Sequence, residues 1–229
     1  MLPDVRRSLV EEKRGPEPTV RCMLVGDGAV GKTSMIISYI ANGYPDEYRQ
    51  TAFDVFTGSV TVDGIPVRIQ LMDTAGQEDY DAFRSLCYEH ADVFLLCFSV
   101  VCPTSFHNVT SKWIPELRAQ RPSLPIILVG TQADRRHDVN VLIALDQLRL
   151  SGPVGAAEGR DLADRIGALD YVECSALTQE NLKEAFDAAI FAAIKHKARR
   201  RSGAPGKRGL VGRAKRISSG AWKKLFCFV

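Results

Sequence analysis

Val20-Arg21-Cys22-Met23-Leu24-Val25 runs directly into Gly26-Asp27-Gly28-Ala29-Val30-Gly31-Lys32-Thr33, and then into Ser34-Met35-Ile36-Ile37-Ser38-Tyr39-Ile40-Ala41. A short apolar run, a glycine-rich loop and a stretch of helical character make a strand, turn and helix in succession. The loop matches G-x-x-x-x-G-K-[ST] in the context that pattern requires. Glycines let the backbone fold so that successive N–H groups face one phosphate chain, and the helix start adds partial positive charge. Lys32 spans toward the outer phosphates, and Thr33, followed by Ser34, offers a hydroxyl to a magnesium ion. A glycine-rich turn arising by chance is the plain alternative, and Lys and Thr both in place weigh against it. The loop alone does not separate ATP from GTP.

Outward from this unit, apolar runs alternate with amphipathic segments, which predicts a mostly parallel sheet covered by helices on both faces. Strands are expected near Val20–Val25, Phe53–Val62, Pro66–Met72, Val93–Ser99, Ile126–Gly130 and Tyr171–Cys174, giving six. Asp63-Gly64 between the second and third is a hairpin signal, because both central residues of the favoured turn take positive φ. That pair should be antiparallel at one edge. Helices are expected over Gly31–Ala41, Thr104–Gln120, Ala157–Ile166 and Asn181 to about Arg200, with Ser34, Thr104 or Ser105, and Asn181 as local oxygen caps. The organisation expected is an N-terminal extension over 1–18, one α/β domain over 19–200 and a basic tail over 201–229.

Asp73-Thr74-Ala75-Gly76-Gln77 closes the apolar strand that ends at Met72. A carboxylate there can hold magnesium through water, Gly76 can turn its N–H to a terminal phosphate, and Gln77 can orient an attacking water. Base recognition falls to Thr131-Gln132-Ala133-Asp134 and to Cys174-Ser175-Ala176-Leu177, each at the carboxyl end of a strand, where ligands bind in open α/β sheets. Asp134 can accept from the ring N–H and exocyclic amine of guanine and would repel the acceptor edge of adenine. The Ser175-Ala176 backbone can donate to the guanine oxygen. Together these features select GTP over ATP.

Composition sets the outer bounds. The chain has 229 residues, 45% hydrophobic and 25% charged, which is ordinary for a folded domain. No apolar run is long enough for a membrane span, and the charged stretch Met1 to Pro18 lacks the core of a signal peptide, so a cytosolic protein is expected. Cys22, Cys87, Cys97, Cys102 and Cys174 lie in or beside apolar runs and read as small buried hydrophobes in a reducing compartment; no pair has zinc-ligand spacing. From Ala188 onward there are twelve Lys or Arg and no acid, which leaves 18 basic against 27 acidic residues, −9, for the rest. Such a tail can be a solvated helix face, a nucleic-acid arm or a patch for anionic lipid.

These motifs stand in the order of a Ras-superfamily GTPase, and GDGAVGKT, DTAGQEDYD and ECSALTQ resemble the Rho family over about Val20 to Arg200. Trp222-Lys223-Lys224-Leu225-Phe226-Cys227-Phe228-Val229 is similar to the ending of its atypical Wrch/Chp branch. The resemblance implies a slow GTP hydrolase that uses magnesium, is monomeric, and recruits kinase effectors of the PAK type to act on actin, adhesion and cell shape, under Rho-type exchange and activating proteins. It implies that Asp134 to Asp161 holds an additional helix, that Tyr44 packs against guanine, and that Tyr48 to Asp54 is a first switch. Within that switch Tyr48 lies beside the nucleotide, Thr51 closes on magnesium and the γ-phosphate, and Ala52, Phe53 and Asp54 face effectors. The catalytic set implied is Lys32, Thr51 and Gln77.

Against the family pattern, Gln132 replaces a lysine that stacks along the base and braces the phosphate loop. Faster nucleotide release is the expected consequence, and a mostly GTP-loaded binding module regulated by abundance is the alternative reading. Met72 replaces a tryptophan that helps choose exchange factors, and Ala82-Phe83 replaces Arg-Leu in the second switch.

Cys227 is third from the end, so the prenylation spacing is not met. Beside Trp222, Leu225, Phe226, Phe228, Lys223 and Lys224 it suits S-palmitoylation at an anionic leaflet, and one acyl chain plus a basic patch gives the two signals stable anchoring takes. The cytosolic face of the plasma membrane and endosomal membranes is the expected location. Nucleic acid is a poorer partner, since the aromatics do not interleave with the basic run. Pro3, Pro16 and Pro18 form no P-x-x-P.

Overall fold

Thr19–Val25 forms β1, the strand from which the rest of the sheet is laid out; the computed structural model describes residues 18–44 and 53–202. Its side chains alternate between two cores, Cys22 and Leu24 to one face and Met23 and Val25 to the other, as the period of two in a strand requires. The remaining strands are β2 (Phe53–Val62), β3 (Ile65–Thr74), β4 (Val93–Ser99), β5 (Ile126–Thr131) and β6 (Asp170–Glu173). Their order across the sheet is β2-β3-β1-β4-β5-β6, with β2 antiparallel to β3 and all other pairs parallel.

This is the six-stranded, mostly parallel sheet with one antiparallel edge expected from the sequence. Asp63 (φ 50°) and Gly64 (φ 77°) make the β2–β3 turn, both with positive φ. β4 and β5 are buried along their whole length, which is why they read as unbroken apolar runs.

Helices α1 (Lys32–Ala41) and α7 (Leu182–Ser202) cover one face, where Tyr39 stacks on Phe186 with ring centroids 4.2 Å apart. The other face carries α2 (Asp81–Tyr88), α3 (Pro103–Asn108), α4 (Ile114–Gln120) and α6 (Ala156–Ile166), with Trp113, Phe94 and Phe98 in the core beneath them. The extra helix implied between Asp134 and Asp161 is α5 (Val139–Gln147), capped by Asp138, whose carboxylate accepts from Asn140 N at 2.8 Å and Val141 N at 3.4 Å.

Three expectations need correction. The single helix over Thr104–Gln120 is instead α3, a π-helical turn over Val109–Trp113, and α4. The anticipated caps are not used: Gly31 and Cys102 stand at the N-caps of α1 and α3 without side-chain capping bonds. Ser34 lies inside α1, Ser105 Oγ donates to Cys102 O at 2.7 Å, and Asn181 Nδ2 turns away to Glu173 O at 3.1 Å. β3 also runs two residues further than expected, through Asp73 and Thr74, so the magnesium-binding candidate stands on a strand end.

Candidate nucleotide and magnesium site

The loop between β1 and α1 is shaped by its glycines. Gly26 (φ 138°) crosses so close to β4 that a Cβ would overlap the Cys97 carbonyl oxygen, and Gly31 (φ 96°) turns the chain into α1. Ala29 shares the left-handed region at φ 59°. Lys32 folds back beneath the loop and donates to Gly26 O at 2.8 Å and Asp27 O at 2.7 Å. It is 6% exposed, and burial lowers its amino pKa while the nearby Cys97, Asp73 and Asp27 oppose that shift. An anion above the loop would relieve the desolvation of this ammonium.

Thr33 Oγ1 lies 2.6 Å from the fully buried Asp73 Oδ2, so α1 and β3 bring together the two expected magnesium ligands. A hydroxyl and a carboxylate are hard oxygen donors of the kind magnesium takes alongside waters and phosphate, and this donor set fits the ion. Gly76 passes directly over the phosphate loop. A Cβ there would overlap the backbone of Gly26, Asp27 and Gly28, so only glycine brings this N–H so near the phosphate position. The Gln77 amide points the same way, with Nε2 3.8 Å from where a Cβ on Gly28 would stand. Its Oε1 is buried without a hydrogen-bond partner among the described residues.

The base-side motifs converge on the same end of the sheet. Thr131 Oγ1 reaches Val30 O at 2.5 Å and Phe98 O at 3.0 Å, pinning the base loop to the phosphate loop. Gln132 sits in the left-handed region (φ 58°) and donates from Nε2 to Ala29 O at 3.3 Å. The brace that the Gln132 substitution was expected to remove is therefore present as an uncharged bond. Asp134 is exposed within a 3₁₀ turn over Ala133–Arg135. Ser175 N is already committed to Glu180 O at 3.0 Å and Ser175 Oγ accepts from Thr178 N at 3.0 Å, so of the pair Ser175-Ala176 it is the Ala176 N–H that faces no such demand among the described residues. Leu177, next to Ala176, is exposed, and so is Tyr44, after the end of α1. Tyr48, Thr51 and Ala52 lie outside the described residues, as does Cys227.

Of the effector-facing candidates, Asp54 is exposed, and Phe53 meets Phe83 edge-on at 5.3 Å. Met72, in the position expected to influence exchange-factor choice, is buried in the second core, whereas Phe83 is 47% exposed on α2. Four of the five cysteines in apolar runs are buried; Cys102 is half-buried.

A buried bracing network escaped the sequence entirely. Arg84, 1% exposed, donates to Ala75 O at 2.8 Å and Gln77 O at 3.4 Å, pairs with Glu116 at 3.0 Å and with Asp81, and lies over the Trp113 ring at 4.7 Å. Burial works against its charge, yet Glu116 and Tyr88 together hold the guanidinium pKa above its usual value. Trp113 Nε1 and Asn108 Nδ2 then bond the two oxygens of Asp27, each at 2.7 Å. One continuous set of contacts thus joins the Asp73–Gln77 loop to the phosphate loop through α2 and the π-helical turn. Arginine within α2 and tryptophan after Lys112 carried no local signal of this role.

Comparison with known proteins agrees with this geometry. Residues 21–195 match the family model described as "Ras family". The chain is 59% identical over 216 residues to the Rho-related GTP-binding protein RhoV of Rattus norvegicus, and equally so to those of Mus musculus and Homo sapiens, covering 93% of this chain and 89% of each relative.

Proposed function

Since the chain belongs to the Ras family, in its Rho-related branch, and as such is a small GTPase that hydrolyses GTP, we propose that it works as a membrane-associated switch whose GTP form recruits PAK-type kinases, acting on actin, adhesion and cell shape. The observation that carries the effector reading is the edge of the sheet. β2 ends the strand order, so its outer backbone groups face no further strand among the described residues. Beside it a groove of 390 Å³ is lined by Ile40, Phe56, Thr57, Gly58, Ser59, Ile69 and Leu71. An extended peptide can add to such an edge by backbone pairing and seat apolar side chains in the groove.

In hydrolysis, Thr33 and Asp73 would hold a magnesium ion, which would supply charge neutralisation at the phosphate oxygens. Lys32 brings its ammonium to the outer phosphates, and the loop N–H groups cradle the chain. Gln77, held by Arg84 through its own carbonyl, orients the water, and Gly76 donates to the terminal phosphate. Asp134 and the Ala176 N–H read the guanine edge. Thr51 is assigned the closing contact of the first switch, whose loss with the γ-phosphate releases the effector surface. Anchoring is assigned to the basic tail with acylated Cys227, and exchange and activating proteins of Rho type are the regulators expected.

The effector reading is tested by titrating the GTPase-binding segment of a PAK-type kinase against full-length protein loaded with a non-hydrolysable GTP analogue or with GDP. Binding about tenfold or more tighter to the GTP-analogue form is expected; equal affinities would contradict the reading. A second reading, a self-loading module that exchanges quickly, draws on the uncharged Gln132, whose Oε1 is also claimed by Arg135 Nη1 at 3.3 Å. Nucleotide release outpacing single-turnover hydrolysis would favour it.

A further inference from the structure

Asp134 and the Ser175-Ala176 loop sit on different strands, and something must fix their spacing if both are to read one base. Past the paired part of β5 and β6, their backbones meet at Ala133 N to Cys174 O, 3.1 Å, and at Cys174 N to Gly130 O, 2.8 Å. Two residues beyond Asp134, Arg136 sends Nη1 and Nη2 to the two oxygens of Glu173, both at 2.7 Å, in a bidentate pair. The same guanidinium donates from Nε (3.2 Å) and Nη2 (3.0 Å) to Val154 O, on the segment entering α6. Val154 N is in turn held by Val100 O at 2.8 Å, beyond the end of β4.

Tyr171 OH completes the Glu173 shell at 2.7 Å. Around this group the chain has no room: a Cβ on Gly130 would stand 2.9 Å from Tyr171 Oη and 3.3 Å from Glu173 Cγ, and one on Gly159 would overlap the Tyr171 ring. Arg136 and Glu173 are 21% and 16% exposed, which shields the pair from solvent screening.

We infer that Arg136 and Glu173 are positioning residues for guanine selection, their bridge setting the distance between the loop that carries Asp134 and the loop that carries Ser175 and Ala176. The inference rests on the assignment of guanine reading to those loops. Neither residue touches the base. Their effect is on where the carboxylate of Asp134 stands, so it falls on the one contact that distinguishes guanine from hypoxanthine, the exocyclic amine.

The test compares dissociation of GDP and of inosine diphosphate, which lacks that amine, from full-length protein. Arg136→Gln and Glu173→Gln are expected to reduce the preference for GDP by about fivefold or more. Arg136→Lys, which keeps the charge and loses the fork, should fall between them and the wild type. Arg121→Gln is the control for simple destabilisation. Arg121 is also bonded through its guanidinium, to Tyr88 O, Glu89 O and Ala91 O, but away from the base loops, and its loss should lower the melting temperature without changing the preference. Melting with GDP bound shows which variants fold. An unchanged preference in folded Arg136→Gln and Glu173→Gln would overturn the positioning role. A wild-type protein that holds both nucleotides equally would instead overturn the guanine assignment beneath it.

Discussion

Asp27 occupies a phosphate-loop position where only the backbone was expected to matter, yet both of its carboxylate oxygens are bonded, to Trp113 and Asn108. Trp113→Phe keeps the ring beneath Arg84 and removes the N–H. Loss of a hydrogen bond to a charged acceptor should cost about 1.5–3 kcal/mol of stability, measured by denaturant unfolding, with faster GDP dissociation alongside. Gln77→Leu should slow single-turnover GTP hydrolysis about 10²-fold or more while leaving GDP affinity near that of the wild type. The loop residues, Lys32, Thr33, Asp73, Gly76 and Asp134, were legible in the sequence because each belongs to a short motif whose chemistry is local. Trp113 was not, since it lies 86 positions from Asp27 and nothing near it in the chain marks the contact. Ser175 shows the other limit: its motif was plain, but the commitment of its N–H to Glu180 O depends on a turn that only the fold displays.

At the level of elements, alternation and turn chemistry located all six strands, and Asp63-Gly64 fixed the antiparallel edge on which effector docking is proposed. The stretch from Thr104 to Gln120 read as one helix because its apolar spacing does not reveal that one turn opens to π geometry. That opening lies in the turn that carries Trp113, whose indole N–H faces Asp27, in keeping with the frequent placement of π turns at functional sites. Oxygen caps were misassigned at Ser34, Thr104, Ser105 and Asn181 because tertiary partners and a glycine N-cap took precedence. Where a cap is present, at Asp138, substitution by Ala should destabilise the protein by about 1 kcal/mol. Circular dichroism and thermal melting would show a small loss of helix and a lower midpoint, with hydrolysis unaltered because no hydrogen bond joins α5 to a candidate site residue among the described residues.

Across the whole molecule, parallel strands place the carboxyl ends of β1, β3, β5 and β6 at one rim, and the phosphate loop, Asp73–Gln77, Thr131–Asp134 and Ser175–Leu177 lie at that rim or on the turns leaving it. At the opposite end Lys197 of α7 ties Thr19 O at 2.7 Å and Asp92 Oδ2 at 2.6 Å, closing the domain where the basic tail begins. No helix among the described residues is long and apolar enough to cross a membrane. The Arg136–Glu173 bridge also gives the fold an acid dependence. Burial opposes the Glu173 charge, but the Arg136 and Tyr171 bonds outweigh it and lower the carboxyl pKa below its ordinary 4.5. Its folded pKa lies below the unfolded one, so its stabilisation is complete above the ordinary carboxylate range and is lost as pH falls through the lower folded value. Glu173→Gln should therefore flatten the decline of the melting temperature below about pH 4.5, measured by thermal scans from neutral to acid.

The rim as a whole is the proposed guanine-nucleotide site, and displacement of fluorescent GDP from full-length protein with magnesium present tests that most directly. GTP and GDP should each displace the probe near stoichiometric concentration, while ATP should fail at about a thousandfold excess. Displacement by ATP in the same range as GTP would contradict the assignment of Asp134 and the Ala176 N–H to the base.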